Sequence, residues 1–270
     1  MDRYSTILYC IQVIFNEKVT VVEMKTYVVN MEKDTQKRAL IEAQLAKHPE
    51  LDYQIWKAVE GRKLSQDEQK RMILPEFFKR YGRNATLPAA GCSLSHIGIY
   101  RDMILTNIRY ALILEDDAVL SSDLKIDYIR RMLETKEPVA ILLTPDFWYH
   151  RKAEQVRVDD KFNIYRLRDG YMTSGYAVNI AAVKLILPKI FPVQFTADAW
   201  RTFVSFGVKL YGIVPHVISY PDGYGEIGMS QHVHKTINEK VRSYIVYIYI
   251  CYLWVVSYMK GYRKSLKRWS

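Results

Sequence analysis

Tyr110-Ala111-Leu112-Ile113-Leu114-Glu115-Asp116-Asp117 is the stretch on which the fold turns. Five successive apolar residues without polar alternation predict a strand at 110–114 covered on both faces. Such strands occur where a sheet is sandwiched between helices. The three carboxylates that end it also mark a place for chemistry. In open α/β sheets, ligands gather at the carboxyl ends of strands. Adjacent acids there repel one another unless a cation or a set of donors neutralises them. Oxygen ligands of this kind suit Mg²⁺ or Mn²⁺, commonly shared with a substrate phosphate. The plainer reading is a turn whose acids face water or cap the next helix, because motifs this short recur by chance.

Outward from this stretch, strands and helices alternate. Further strands are predicted at 26–29, 53–56, 139–143, 162–167, 176–180 and 209–214. Helices are predicted from Asp34 or Thr35 to about 47, and from the capping box Ser65-Gln66-Asp67-Glu68. Others follow from Ser93 and at 123–133, 181–190 and 197–206. The segment 86–91, which contains Pro88, reads as a loop. This alternation predicts a mainly parallel sheet with helices on both faces.

The chain has 270 residues, enough for one large domain with a real core or two small ones. A composition of 49% hydrophobic and 25% charged residues excludes global disorder. A formal net charge of +10 predicts an anionic partner. Cys10, Cys92 and Cys251 lie far apart, which argues against a disulfide framework or a cysteine zinc site and fits a reducing compartment. Residues 1–23 read as an extension ahead of a domain at 24–235. The uncharged run within them is too short to span a bilayer and carries no cleavage signal. Segment 236–270 contains an uncharged stretch, 243–259, followed by Lys260, Arg263, Lys264, Lys267 and Arg268. That combination predicts a helix lying on or shallowly inserted in an anionic membrane surface; a true span, for which the length is borderline, and a helix docked on the core or on a second subunit are the alternatives. The cations cluster in a tail and not along a folded groove, so no nucleic-acid partner is expected.

Three further segments join the acidic run. Gly91-Cys92-Ser93-Leu94-Ser95-His96 precedes it, with Tyr100 a turn later. Thr173-Ser174-Gly175-Tyr176 follows it, and then Ala197-Asp198-Ala199-Trp200. Together with Tyr27-Val28-Val29-Asn30 and Lys37-Arg38, in this order and spacing, they carry a resemblance. From about 25 to about 221 the chain resembles glycosyltransferase family 25, the bacterial lipooligosaccharide galactosyltransferases and their relatives. Ala89-Ala90 departs from the pattern, since relatives often carry an acid before the glycine.

The resemblance implies a nucleotide-sugar-binding fold of the GT-A kind, with a central mainly parallel sheet flanked by helices. It implies inverting transfer of a hexose, galactose foremost and glucose as the alternative, from a UDP-sugar donor to a lipid-linked oligosaccharide or related cell-surface glycan. The implied cofactor is Mn²⁺ or Mg²⁺, held by Glu115 and Asp117, with Asp116 facing the ribose or donor sugar. Asp198 is the implied general base, with Glu226 and Asp222 as rivals. Asn30, Arg38, Ser95, His96, Thr173 and Gly175 are expected to bind the donor.

Read as residues alone, several of these have blander uses. Asn30 fits a strand-end turn, Arg38 a solvated helix face, and Asp198 a helix N-terminus. Ser95 and His96 are equally suited to bracing the acidic strand. Tyr171 and Tyr176 fit a sugar platform or plain packing, and His232 with His234 a third metal ligand or an exposed linker. The expected location is peripheral, at the cytoplasmic face of the bacterial inner membrane. The competing classes are a metal-dependent phosphohydrolase or nucleotidyltransferase using the same acids, and a non-catalytic membrane-associated binding protein.

Overall fold

The computed structural model describes residues 24–150, 152, 155–221, 256 and 258–264. The extension 1–23, Asp222, Glu226, His232, His234 and nearly all of 243–259 lie outside the described residues.

The chain opens with β1 (Met24–Asn30), α1 (Thr35–Leu45) and β2 (Tyr53–Lys57). Two short helices, α2 (Gln66–Met72) and α3 (Pro75–Tyr81), lead to the long α4 (Leu87–Leu105). Then follow β3 (Tyr110–Glu115), β4 (Val119–Leu120), α5 (Ile126–Leu133), β5 (Val139–Leu142), β6 (Trp148–His150), β7 (Gln155–Arg157) and β8 (Asn163–Arg166). The described part closes with β9 (Gly175–Asn179), α6 (Ile180–Ile190), α7 (Trp200–Ser205), β10 (Lys209–Val214), β11 (Ile218–Ser219) and β12 (Tyr262–Lys264).

One eight-stranded sheet, ordered β2-β1-β3-β9-β5-β10-β8-β7, carries the molecule. Its pairing is mixed, which corrects the expectation of a mainly parallel sheet. β1 is parallel to β2 and β3, and β5 to β10. β9 runs antiparallel between β3 and β5, and β8 runs antiparallel to β10 and β7. The physical reason is that helices on both faces require an apolar run, whichever way the strand points. The five buried residues of β9 therefore look like those of a parallel core strand.

The pleat of β3 divides the interior into two layers. Ala111 and Ile113 face a cluster built from α4, α6 and α7 with Tyr27, Tyr176 and Trp200. Tyr110, Leu112 and Leu114 face a second cluster with Ile41 and Leu45 of α1 and Ile129 and Leu133 of α5.

Helix α4 starts at Leu87, six residues ahead of the expected Ser93. Thr86 caps it by accepting from the Ala89 N–H at 3.2 Å. Pro88 sits in its first turn, where the missing N–H has no intrahelical partner to lose. The helix is pressed onto the Gly61–Lys63 turn: a Cβ on Gly91 would lie 2.5 Å from the Val59 carbonyl oxygen. The capping box at Ser65 forms, with Ser65 N–H donating to Glu68 at 2.8 Å. Helix α7 begins at Trp200, three residues later than expected, so Asp198 stands in the turn ahead of it.

Strand β12 belongs to the segment expected on a membrane, yet it pairs antiparallel with β6. The Lys260 carbonyl lies 2.9 Å from His150 Nε2 and ties this return to the domain. Among the described residues, no helix is long and apolar enough to cross a membrane.

Candidate active site

The alternation that buries β3 also separates its acids. Glu115 continues the register of Ala111 and Ile113 toward α4. Asp116 continues that of Leu112 and Leu114 toward α1. A turn, in which Ala118 N–H donates to the Glu115 carbonyl at 3.1 Å, then carries Asp117 between them.

On the α4 side, the Thr173 hydroxyl donates to Glu115 Oε1. Cys92 Sγ, a His96 ring nitrogen and a Glu115 carboxylate oxygen all lie within 4.8 Å of one another. Burial pushes the Glu115 carboxyl up to about 7. The Thr173 hydrogen bond opposes this, and the charges of Asp117, Asp116 and Asp198 add to it. Burial likewise holds the Cys92 thiol far above its ordinary range, reinforced by Glu115 and Asp198, so it stays protonated. His96 is lowered to about 4 by burial and is neutral at pH 7. Its Nδ1 lies 2.8 Å from the Tyr176 hydroxyl, which lies 2.8 Å from that of Tyr100. Ser95 braces the helix: its hydroxyl accepts from Val59 N–H and donates to the Gly91 carbonyl, both at 2.8 Å. Gly175 is required by packing, because a Cβ there would meet Ile218 at 2.8 Å.

On the α1 side, Asn30 Nδ2 donates to Asp116 Oδ2 at 2.8 Å and to the Asp34 carbonyl at 3.2 Å. Lys37 Nζ stands 3.5 Å from Asp116 Oδ1. Burial alone would depress Lys37, but Asp116, Asp117 and Asp34 hold it above its ordinary value. Arg38 points elsewhere and pairs with Glu42 on the exposed helix face at 3.1 Å. The Gln44 side chain donates to the Ala118 carbonyl at 3.0 Å and accepts from Leu120 N–H at 2.8 Å, clamping the turn that holds the acids.

Asp198 approaches from the turn before α7. Its Oδ2 accepts the Met172 N–H at 3.3 Å, while the Trp200 indole donates to the Met172 carbonyl at 2.9 Å. The segment 171–174 therefore links Asp198 to Glu115, with Thr173 between them.

An oxygen-ligated divalent cation fits this donor set. Asp117 Oδ1 is buried and has no hydrogen-bond partner among the described residues. An unsatisfied buried acceptor costs about 1–3 kcal/mol, and more when charged. Asp116 and Glu115 each have a protein donor, so Asp117 carries the unmet demand. The Cys92 and His96 groups beside Glu115 are soft or neutral and suit Mg²⁺ or Mn²⁺ poorly.

Lys37, Gln44, Cys92 and Met172 all touch these acids or hold them in place, although residue type alone did not single them out as site residues. Lys37 had a signal: helical spacing of three to four residues from Asp34 puts it over the same end of β1 as Asn30. The role of Met172 is carried by its backbone, which leaves no mark in residue type.

Comparison with known proteins places the chain in a family. The model of glycosyltransferase family 25, described as an LPS biosynthesis protein family, matches residues 23–199. Procollagen galactosyltransferase 2 of Mus musculus is 26% identical over 201 residues, which cover 65% of this chain and 31% of the mouse protein. A glycosyltransferase 25 family member of Drosophila pseudoobscura pseudoobscura is 26% identical over 181 residues, covering 62% of this chain and 28% of the fly protein. The chain thus spans less than a third of the length of either relative. Among solved structures, a glycosyltransferase involved in the glycosylation of the major capsid of PBCV-1 overlays 78% of this chain and 100% of its own. Its TM-score of 0.39 and 8% identity are too low to bear on fold or activity. The matched stretch contains β1, the acidic triplet, the 171–174 segment and Asp198, and with well over half of its length matched the chain belongs to glycosyltransferase family 25.

Proposed function

We propose that this chain is an inverting, divalent-cation-dependent hexosyltransferase that moves galactose from a UDP-sugar to a glycan acceptor. The observation that carries the reading is the buried, unpartnered oxygen of Asp117 amid Glu115, Asp116 and Asp198. Glu115 and Asp117 would hold Mn²⁺ or Mg²⁺, which supplies the positive charge a departing diphosphate needs. Asn30 and Lys37 fix Asp116, which is thereby set to accept hydrogen bonds from the ribose or donor sugar. Asp198 takes the proton of the acceptor hydroxyl. The hydroxyl oxygen bonds to the anomeric carbon, the bond from that carbon to the phosphate oxygen breaks, and its electron pair leaves with UDP. His96, neutral and buried, supports the wall behind Glu115 and takes no proton at neutral pH.

The name of the mouse relative supports galactose as the transferred sugar. The family description and the net charge of +10 support a lipid-linked, anionic acceptor, met peripherally at the cytoplasmic face of a membrane. The test is turnover of a UDP-sugar panel by purified protein, with glycan acceptors, with Mn²⁺ or Mg²⁺ and with chelator. Cation-dependent UDP release with transfer to the acceptor is expected. Release of inorganic phosphate or pyrophosphate in its place would assign the acids to a phosphohydrolase or nucleotidyltransferase and overturn the reading.

A further inference from the structure

Four consecutive residues are held in place, three of them by groups of the site. Tyr171 N–H donates to the Asp146 carbonyl at 2.8 Å. Met172 is pinned by Asp198 on its N–H and by Trp200 on its carbonyl. Thr173 donates to Glu115, and the Ser174 carbonyl accepts the Glu115 N–H at 3.1 Å. The segment enters tightly as well: a Cβ on Gly170 would lie 2.2 Å from Leu142 Cδ1.

Held this way, Met172 has φ +64°. The left-handed region costs a residue with a side chain about 1–2 kcal/mol, and it persists only where the surroundings enforce it. What the enforced backbone achieves is outward display. Tyr171 is 55% exposed and Met172 42%, whereas Tyr27, Tyr100 and Tyr176 are buried. Two large apolar side chains kept in water next to a carboxylate contribute nothing to the core. They match a ligand platform. An aromatic ring rimmed by polar groups suits a pyranoside, whose C–H face packs on the ring while its hydroxyls reach the rim.

The position selects between the two sugars of a transfer reaction. Asn30, Lys37 and Asp116 lie at the other face of β3, beside α1. The Met172 N–H holds Asp198, the group that must meet the acceptor hydroxyl, and Tyr171 is the residue before it in the chain, with Asp169 and Arg201 as its charged neighbours. We infer that Tyr171 is the acceptor platform: a pyranoside lies with its apolar C–H face on the Tyr171 ring, with Met172 at its edge and its reactive hydroxyl toward Asp198. This rests on the glycosyltransferase reading above.

The experiment is initial-rate kinetics of the full chain with Mn²⁺, the UDP-hexose it turns over fastest, and methyl β-galactoside and methyl β-glucoside as acceptor probes. Saturation-transfer NMR of the same two probes is run in parallel. Tyr171→Ala is expected to raise the acceptor KM at least about tenfold, equivalent to about 1.4 kcal/mol. The donor KM should move by less than about twofold. Tyr171→Phe should keep the acceptor KM within about threefold of the parent, because the ring and not the hydroxyl makes the contact. Saturation transfer to the pyranoside C–H protons should be present in the parent and in Tyr171→Phe, and lost in Tyr171→Ala.

An unchanged acceptor KM in a folded Tyr171→Ala, or no saturation transfer in the parent, overturns the platform while leaving glycosyl transfer standing. A rise confined to the donor KM moves the ring to the donor side and also overturns it. A parent protein that turns over no UDP-hexose removes the transferase reading and the platform together.

Discussion

On one side of β3, Glu115 is surrounded by a thiol, a neutral imidazole and a hydroxyl, and its charged neighbours are carboxylates. One residue later and across the pleat, Asp116 meets the Asn30 amide and the Lys37 ammonium. Both groups are carboxylates on the same strand end, yet the first is raised to about 7 while the second has a cation and an amide to lean on. Burial raises Asp116 as well, but Asn30 and Lys37 work against it. Neighbouring acids in sequence thus occupy two electrostatic settings because the pleat sends them into different layers. The α4 side is built to be dry and precise, the α1 side to be charged and half-open. Asp117 stands between them with an unmet acceptor.

The sharpest way to break this comparison is at the middle acid. Asp117→Asn removes half of the proposed cation site and should lower kcat for the turned-over UDP-hexose by about 1,000-fold, the several kcal/mol expected of a bound metal. Turnover surviving this change would show that the orphaned oxygen serves no cation.

The next test uses pH on metal-free protein. Glu115 has a folded-state value of about 7 against an ordinary 4.5, so the stability tied to its protonated form is full below 4.5 and is lost as pH rises through about 7. His96 has a folded-state value of about 4 against 6.5, so the stability tied to its neutral form is full above 6.5 and is lost as pH falls through about 4. Between 4.5 and 6.5 the two slopes oppose each other, each worth at most about 3 kcal/mol. Thermal melts of Glu115→Gln should therefore show stability falling on acidification, and those of His96→Gln stability falling as pH rises. Slopes of the same sign in the two variants would contradict the environments assigned to them.

The α1 side is probed by adjacent cations. Lys37→Ala should raise the donor KM about tenfold, because it strips Asp116 and Asp117 of their counter-charge, within the range for a partly buried charge pair. Arg38→Ala should stay within about twofold, since an exposed i,i+4 pair with Glu42 contributes about 0.3–0.5 kcal/mol. Equal effects from the two variants would erase the distinction between the functional and the solvated face of α1.

Much of the frame is legible in residue order. The runs at 110–114 and 209–214 became strands at nearly those positions, and Ser65-Gln66-Asp67-Glu68 became a capping box, because burial on two faces and capping are local demands. Pro88 misled by its type: a residue that breaks helix interiors is at home in a first turn. Other features were hidden because they are relations between distant residues. The reversal of β9, the close approach of Gly91 to Val59 and the backbone grip of Asp198 on Met172 belong to this class. So does the pairing of β12 with β6, in a segment whose composition alone suggests a lipid surface.

Amino-acid order alone determined where seven of the eight strands of the main sheet lie, that a carboxylate cluster ends β3, and which family the pattern resembles. Periodicity, apolar runs and motif spacing are properties of short stretches of chain. Tertiary structure alone decided which acid has a donor and which has none, that Lys37 and not Arg38 stands beside Asp116, and that Tyr171 is exposed next to the Met172 backbone that holds Asp198. Each of these depends on the placement of side chains tens of residues apart, which is set by packing on both faces of the sheet.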